Sequence, residues 1–306
     1  MALLPEVIPP TVMAIYDHYE RKAADWRRAH LGASVVGRSC LRHVWYLFRW
    51  ASKPERSGRM EALLARGSSE ELRLVKDLRA IGTPVVNRQA KITFGPHTGG
   101  SIDGELVGMI EASATAHLFE CKTANVKNFA RIKKEGVEKA KPEHYAQMQV
   151  YMHARNLARA AYFVVCKDTD EIYLERIPYD ARAALALVAK AELVVKASEP
   201  LSRISESPTW YECVYCDHRS HCQLGEIGKL ARNCRTCLSS TPMPDGTWRC
   251  DLKNKTLSVA AQKKGCKEHR FIPKMLTGYD AHSAEGRDVM YYSDSGHALT
   301  DRGQVL

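Results

Sequence analysis

The chain has no run of 18 consecutive apolar residues, so no membrane-crossing helix and no membrane partner are expected. It opens MALLPEVIPP, with Glu6 and prolines at 5, 9 and 10. Without a basic stretch leading into a long apolar core, this is not read as a secretory signal, and a cytoplasmic location is expected. There is no internal repeat, no low-complexity tract and no G-x-x-x-x-G-K-[ST] segment. No nucleotide-driven motor is therefore expected in this chain. Wholesale disorder is excluded as well, since 45% of the 306 residues are apolar and 26% charged. That length buries a core without covalent staples and suits one large domain with an appendage, or two domains.

Cysteine and positive charge are abundant, and both are unevenly placed. Ten cysteines are many for a reducing compartment, where structural disulfides are rare, so metal binding is their expected use. Seven of them lie between 213 and 266. The net charge is +10. Residues 229–275 carry 11 Lys/Arg against 3 Asp/Glu, and 122–145 carry 7 against 3. Such clusters mark either a solvated basic face or a track for a polyanion.

Periodicity gives a coarse order of elements. Helical spacing runs over 10–30, 40–50 and 59–81, the last interrupted or capped near Gly67-Ser68-Ser69. Strand character follows at 85–94, 100–110 and 116–123. A helix over 142–158, strands at 161–168 and 171–179, and a helix over 180–197 capped by Asp180 complete an α/β core. The tail has the pattern of a hairpin turning at 293–296.

Asp103 lies in GSIDGELVG, and Glu120-Cys121-Lys122 follows 17 residues after it. On a strand, Glu120 and Lys122 share a face and Cys121 points to the other, into the core. Two carboxylates with backbone oxygens suit Mg²⁺ or Mn²⁺, and a neighbouring lysine orients water and offsets phosphate charge. Together these make a chemically sensible phosphodiester hydrolysis site. Asp103 with Glu120-x-Lys122 resembles the signature of the PD-(D/E)XK nuclease superfamily, Ile102 standing where the signature has proline. Arg66-Gly67-Ser68-Ser69-Glu70-Glu71 is similar to the helix motif of its RecB-like members, and Gln147-x-x-x-Tyr151 to their Q-x-x-x-Y helix. The resemblance covers roughly 30–225. It implies a central mixed sheet flanked by helices, with Glu71 (Glu70 as fallback) as an extra metal ligand. It places Gln147 and Tyr151 beside the active site, holding the substrate strand or the lysine. His144, just after Pro142, is a weaker candidate to face the same site.

Cys213-x2-Cys216-x5-Cys222 follows this core, and Cys40 precedes it. Four thiolates suit an iron–sulfur cluster or zinc. The arrangement of one cysteine before the core and three after resembles the iron–sulfur nucleases of AddB type and of CRISPR adaptation. That resemblance implies a [4Fe–4S] cluster on Cys40, Cys213, Cys216 and Cys222 that staples the chain's ends together. Beyond its reach, Cys234-x2-Cys237-x12-Cys250-x15-Cys266 forms a second set in a segment too poor in large apolar residues to fold readily alone. Zinc on these thiolates is expected, with His269 as a substitute for one of them and a second cluster as the alternative. Lys263, Lys264 and Lys267, with Trp248 and Phe271 interleaved, suggest a clamp that tracks phosphates and stacks bases; a purely structural cap is the competing reading. Cys121 and Cys166 are expected as small buried hydrophobes.

The expected organisation is a helical region 1–58 carrying the first cluster cysteine, a PD-(D/E)XK nuclease core 59–200, a cluster-binding segment 201–228, and a basic cysteine-rich module and tail 229–306. The expected function is a Mg²⁺- or Mn²⁺-dependent DNA exonuclease. The resemblance implies single-stranded ends as substrate, in recombination, repair or end processing, with any strand separation left to a partner, a helicase or a recombinase. A junction- or flap-cutting endonuclease of the same fold is one rival, and a non-catalytic iron–sulfur DNA-binding subunit is the other.

Overall fold

A computed structural model of the chain describes residues 8–283, 289–293, 296 and 298–300. The centre is a five-stranded sheet in sequential order: β1 (Val85–Val86), β2 (Gly104–Leu106), β3 (His117–Ala124), β4 (Arg159–Cys166) and β5 (Ile172–Pro178). Only β3 and β4 run parallel; the other neighbours are antiparallel, so the sheet is mixed. A parallel pair needs a crossover, and here it comprises helices 126–135, 137–140 and 142–155. β4 is buried from Ala160 to Cys166, as its central, two-sided position requires.

Helices cover both faces. α1 (Pro10–Lys22) packs on α3 (Gly58–Ala80), and α3 lays Leu74 and Leu78 on Phe119, Cys121 and Phe163. The other face meets α2 (Leu41–Arg49), α5 (Pro142–Arg155) and α6 (Ala181–Lys196), with Trp45, Tyr46, Met148, Val150 and Val194 in one continuous core. Asp180 caps α6, accepting from the Ala183 N–H at 3.0 Å. No helix among the described residues is long and apolar enough to cross a membrane.

Several local expectations are corrected. α3 runs unbroken through Gly67, which lies against β3 with Thr123 Oγ1 3.8 Å from where a Cβ would be. Ser69 bonds back to the Ala65 carbonyl at 3.2 Å instead of capping an end. α1 stops at Lys22 rather than 30. The strand expected over 85–94 is split by a turn in which Asn87 and Gln89 take positive φ. Helix α4 (Val126–Glu135), hidden in the basic run, buries Phe129 and Ile132 and is capped by Asn125. In the tail, β-strands 289–293 and 298–300 pair, and the Gly296 N–H donates to the Ser293 carbonyl at 2.9 Å. Residues 294 and 295 of that expected turn lie outside the described residues.

Residues beyond 229 pack into the same core. Leu230, Trp248, Phe271, Ile272, Met275 and Tyr291 share the cluster with Trp45 and Phe48. Two buried arginines cross this junction. Arg235 donates to the Phe48 carbonyl (3.0 Å), the Ala29 carbonyl (2.7 Å) and Gln262 Oε1 (2.9 Å), with its guanidinium 3.8 Å from the centre of the Trp50 ring. Arg49 bonds the Arg235, Ser240 and Ala197 carbonyls and lies between Trp45 and Trp248.

Candidate active site

β3 carries Glu120 and Lys122 on the α5 face, and Cys121 into the opposite layer beside Leu74. Asp103 sits in the break between the short strand Thr98–Ser101 and β2, and its Oδ2 accepts from the Cys121 N–H at 3.0 Å. That bond ties the loop to β3 beside both carboxylate and lysine. Glu120 is fully buried. Its Oε1 accepts from Lys122 Nζ, and its Oε2 has no hydrogen-bond partner.

A buried carboxylate with half its acceptors unused is costly as an anion. Burial pushes Glu120 up to about 7; the charges of Asp103 and Glu71 add to the rise and Lys122 opposes it. Glu71, on α3, is also raised, by burial and then by Asp103. It accepts from Arg88 Nη2 (3.4 Å) and Gln89 Nε2 (3.3 Å), whereas Glu70 turns away to Arg73. Glu71 rather than Glu70 therefore joins the group. Lys122 is raised by Glu120 and Asp103, against its burial, so it stays an ammonium ion.

Lys122 opens onto a cleft of about 660 Å³ whose wall includes Arg28, Arg38, Lys141, His144, Gln147 and Tyr151. Both Gln147 and Tyr151 are largely buried there. A Cβ on Gly100 would stand 2.5 Å from the Tyr151 hydroxyl, so only glycine lets that ring seat against the loop leading to Asp103. Arg28 and Arg38 were not anticipated from sequence, whereas Lys141 lies in the basic run 122–145 read there as a solvated face or a polyanion track. His144, three residues before Gln147 and seven before Tyr151, was readable as the same helix face.

Cys40, Cys213, Cys216 and Cys222 line one small cavity. Cys40 caps α2, its sulfur accepting from the His43 N–H at 3.4 Å. Cys216 Sγ lies 3.1 Å from His43 Nδ1 and accepts from the His218 N–H at 3.4 Å. Gln223 Nε2 reaches Cys213 Sγ at 3.5 Å. Burial first, then Cys222 and Cys40, push the Cys216 thiol up to about 12. Cys234, Cys237, Cys250 and Cys266 line a second cavity together with His269, whose Nδ1 is buried without a partner. Among the described residues, no three His, Cys, Asp or Glu side chains are arranged to hold a single metal ion. A hydrated divalent cation needs only two carboxylates, and a [4Fe–4S] cluster takes one thiolate per iron, so the first two donor sets remain compatible with those groups. The second cysteine set does not stand as a closed tetrahedral cage for zinc.

The base stacking expected of Trp248 and Phe271 is ruled out, because the two rings are 1% and 3% exposed. Lys263 is committed too, pairing with Asp25 at 2.8 Å. Cys121 and Cys166 are buried, as expected.

No family model and no curated protein matches the chain. Several solved structures resemble it, among them the following three. The alkaline exonuclease LHK-Exo of Laribacter hongkongensis, in complex with dAMP, is 18% identical over 55% of this chain and 87% of its own, with a TM-score of 0.42. A second structure of that exonuclease is 17% identical over 58% and 90%, with the same TM-score of 0.42. The protein SSO0001 is 16% identical over 70% and 96%, again at 0.42. At this distance the reading of the site rests on its own geometry.

Proposed function

We propose that the chain is a metal-dependent DNA exonuclease of the PD-(D/E)XK type, acting on single-stranded ends in recombination, repair or end processing. The observation that carries this is the buried Glu120 with an unpartnered oxygen, set against Asp103, Glu71 and an ammonium Lys122. Asp103 and Glu120 would hold Mg²⁺ or Mn²⁺, and Glu71, which is not arranged with them around one ion, would have to move in to serve as a further ligand. Such an ion would supply Lewis acidity and activate water near neutral pH. Lys122, pinned by Glu120, offsets charge on the scissile phosphate; being protonated, it acts as a cation and not as a base. Gln147 and Tyr151 shape the wall along which the strand lies.

The test is digestion of end-labelled single-stranded DNA with Mn²⁺ by anaerobically purified protein. Asp103→Ala and Lys122→Ala should each lose about a thousandfold in rate, the scale of a lost electrostatic stabiliser. Equal cutting by all three proteins would sink the assignment. Resistance of circular substrate supports an exonuclease; its cleavage supports the junction endonuclease. Folded protein that binds DNA and never cuts supports the non-catalytic reading.

We further propose a [4Fe–4S] cluster on Cys40, Cys213, Cys216 and Cys222, supported by their shared cavity and the N–H groups aimed at three of the four thiols. Cluster binding would be coupled to folding, since Cys40 is remote in sequence from the others. Cys40→Ala is expected to lose visible absorption and soluble yield together. A soluble, iron-replete variant would remove Cys40 from the ligand set. For the second set zinc stays the first assignment and a cluster the second. Zinc would require the four thiols to close in, with His269 Nδ1 as a fifth candidate donor.

A further inference from the structure

The cleft beside Lys122 is walled by the cations Arg28, Arg38 and Lys141, by one carboxylate, Glu143, and by neutral groups, among which His144 has an unusual setting. Its Nδ1 lies 2.7 Å from the hydroxyl of Tyr162. Tyr162 is fully buried on β4, in register with Glu120 on β3. The charge of Lys122 acts on both the phenol and the imidazole. A nearby cation attracts the phenol oxygen's lone pairs, which favours a hydroxyl hydrogen turned away from it. If the phenol donates to Nδ1, the ring's own proton resides on Nε2. With Nδ1 turned inward to Tyr162, the Nε2 edge is the one left to face the cleft. Burial, reinforced by Lys122 and Lys141, pushes His144 down to about 3, so the ring is neutral at any working pH.

We infer that His144, its tautomer fixed by Tyr162, is a neutral phosphate-reading donor whose Nε2–H bonds a non-bridging oxygen of the nucleic-acid strand beside the phosphate that Lys122 serves. The nature of the ligand rests on the nuclease reading. Tyr162 is a positioning residue that acts through His144. A neutral donor has a signature that no cation shares: it adds affinity but releases no counterion.

The experiment measures anisotropy of labelled single-stranded DNA bound to the full-length, metal-replete protein in Ca²⁺ without Mg²⁺ or Mn²⁺, across 50–200 mM salt. His144→Ala should weaken binding about tenfold, the scale of a hydrogen bond to a charged group, with the salt slope unchanged. Lys141→Gln should instead flatten the slope by about 0.7. His144→Gln, which keeps a donor, should recover part of the affinity, and Tyr162→Phe should weaken binding without adding to the loss in His144→Ala. Nitrogen-15 NMR should show the Nε2–H tautomer in the native protein and a mixture in Tyr162→Phe. Native affinity in His144→Ala, a slope change matching that of Lys141→Gln, or an Nδ1–H tautomer would each overturn the inference. If those binding results hold and cleavage never occurs, the nuclease reading falls and the phosphate reader stands. If cleavage occurs and His144→Ala binds normally, the inference falls alone.

Discussion

Glu120→Gln is expected to stop cleavage and to stabilise the fold at the same time. The folded protein holds the Glu120 proton up to about 7, against an ordinary carboxyl value of 4.5, because the group is buried among Asp103 and Glu71. A raised carboxyl contributes its stability below pH 4.5 and loses it as pH rises through 7. At pH 8 the buried anion therefore costs roughly 3 kcal/mol, an upper figure given that Lys122 shares the charge. Glutamine keeps the shape and removes the charge. In EDTA at pH 8 the variant should melt several degrees above the native protein, at about 2–4 °C per kcal/mol; at pH 4.5 the two should coincide. In Mn²⁺ its cleavage rate should fall about a thousandfold. A variant that melts lower than native at pH 8 would show that the Lys122 pairing outweighs the burial of the anion.

Arg235→Met should be the most damaging single change outside the site. Methionine fills much of the space and still packs on Trp50, but the Phe48 and Ala29 carbonyls and Gln262 Oε1 lose their donor. Each stranded acceptor costs about 1–3 kcal/mol, so a loss of roughly 3–5 kcal/mol is expected, on the scale of a broken buried charge network. Replacing a buried ion pair by apolar groups is often harmless because both charges leave together. Here the acceptors are mostly main-chain carbonyls and cannot leave. Urea unfolding reads the result directly; a midpoint shift equivalent to under 1 kcal/mol would mean that water takes over the bonds.

Much of the sheet was legible because each of its long strands writes its own burial: AAYFVVC on β4 and HLFECKTA on β3 announce themselves locally. Asp103, Glu120 and Lys122 were legible for the same reason, since a strand and a hairpin set their relative positions. The misses have a different origin. Arg235, Trp248 and Phe271 sit in a segment whose charge suggested a surface, yet all are buried. Their partners lie far off in sequence: Arg235 meets Phe48 and Ala29 across 187 and 206 residues. No local pattern encodes such a contact. Helix 126–135 was hidden because lysine and arginine on its exposed side mask a narrow apolar stripe of Phe129 and Ile132.

The burial of Trp45 and Phe48 against Trp248, Phe271 and Met275 also sets an order of events on the ribosome. The helix bearing those aromatics emerges early, while the segment that covers it is more than 200 residues away. At bacterial and eukaryotic elongation rates of about 5–20 residues per second, the apolar face waits roughly 10–45 s for its cover. Over that interval the nascent chain presents a sticky surface with the first thiol, Cys40, beside it. Newly made protein should therefore lean on chaperones until translation passes the last cysteines. Any metal that these thiols take would be held only after that core has closed over the early helix.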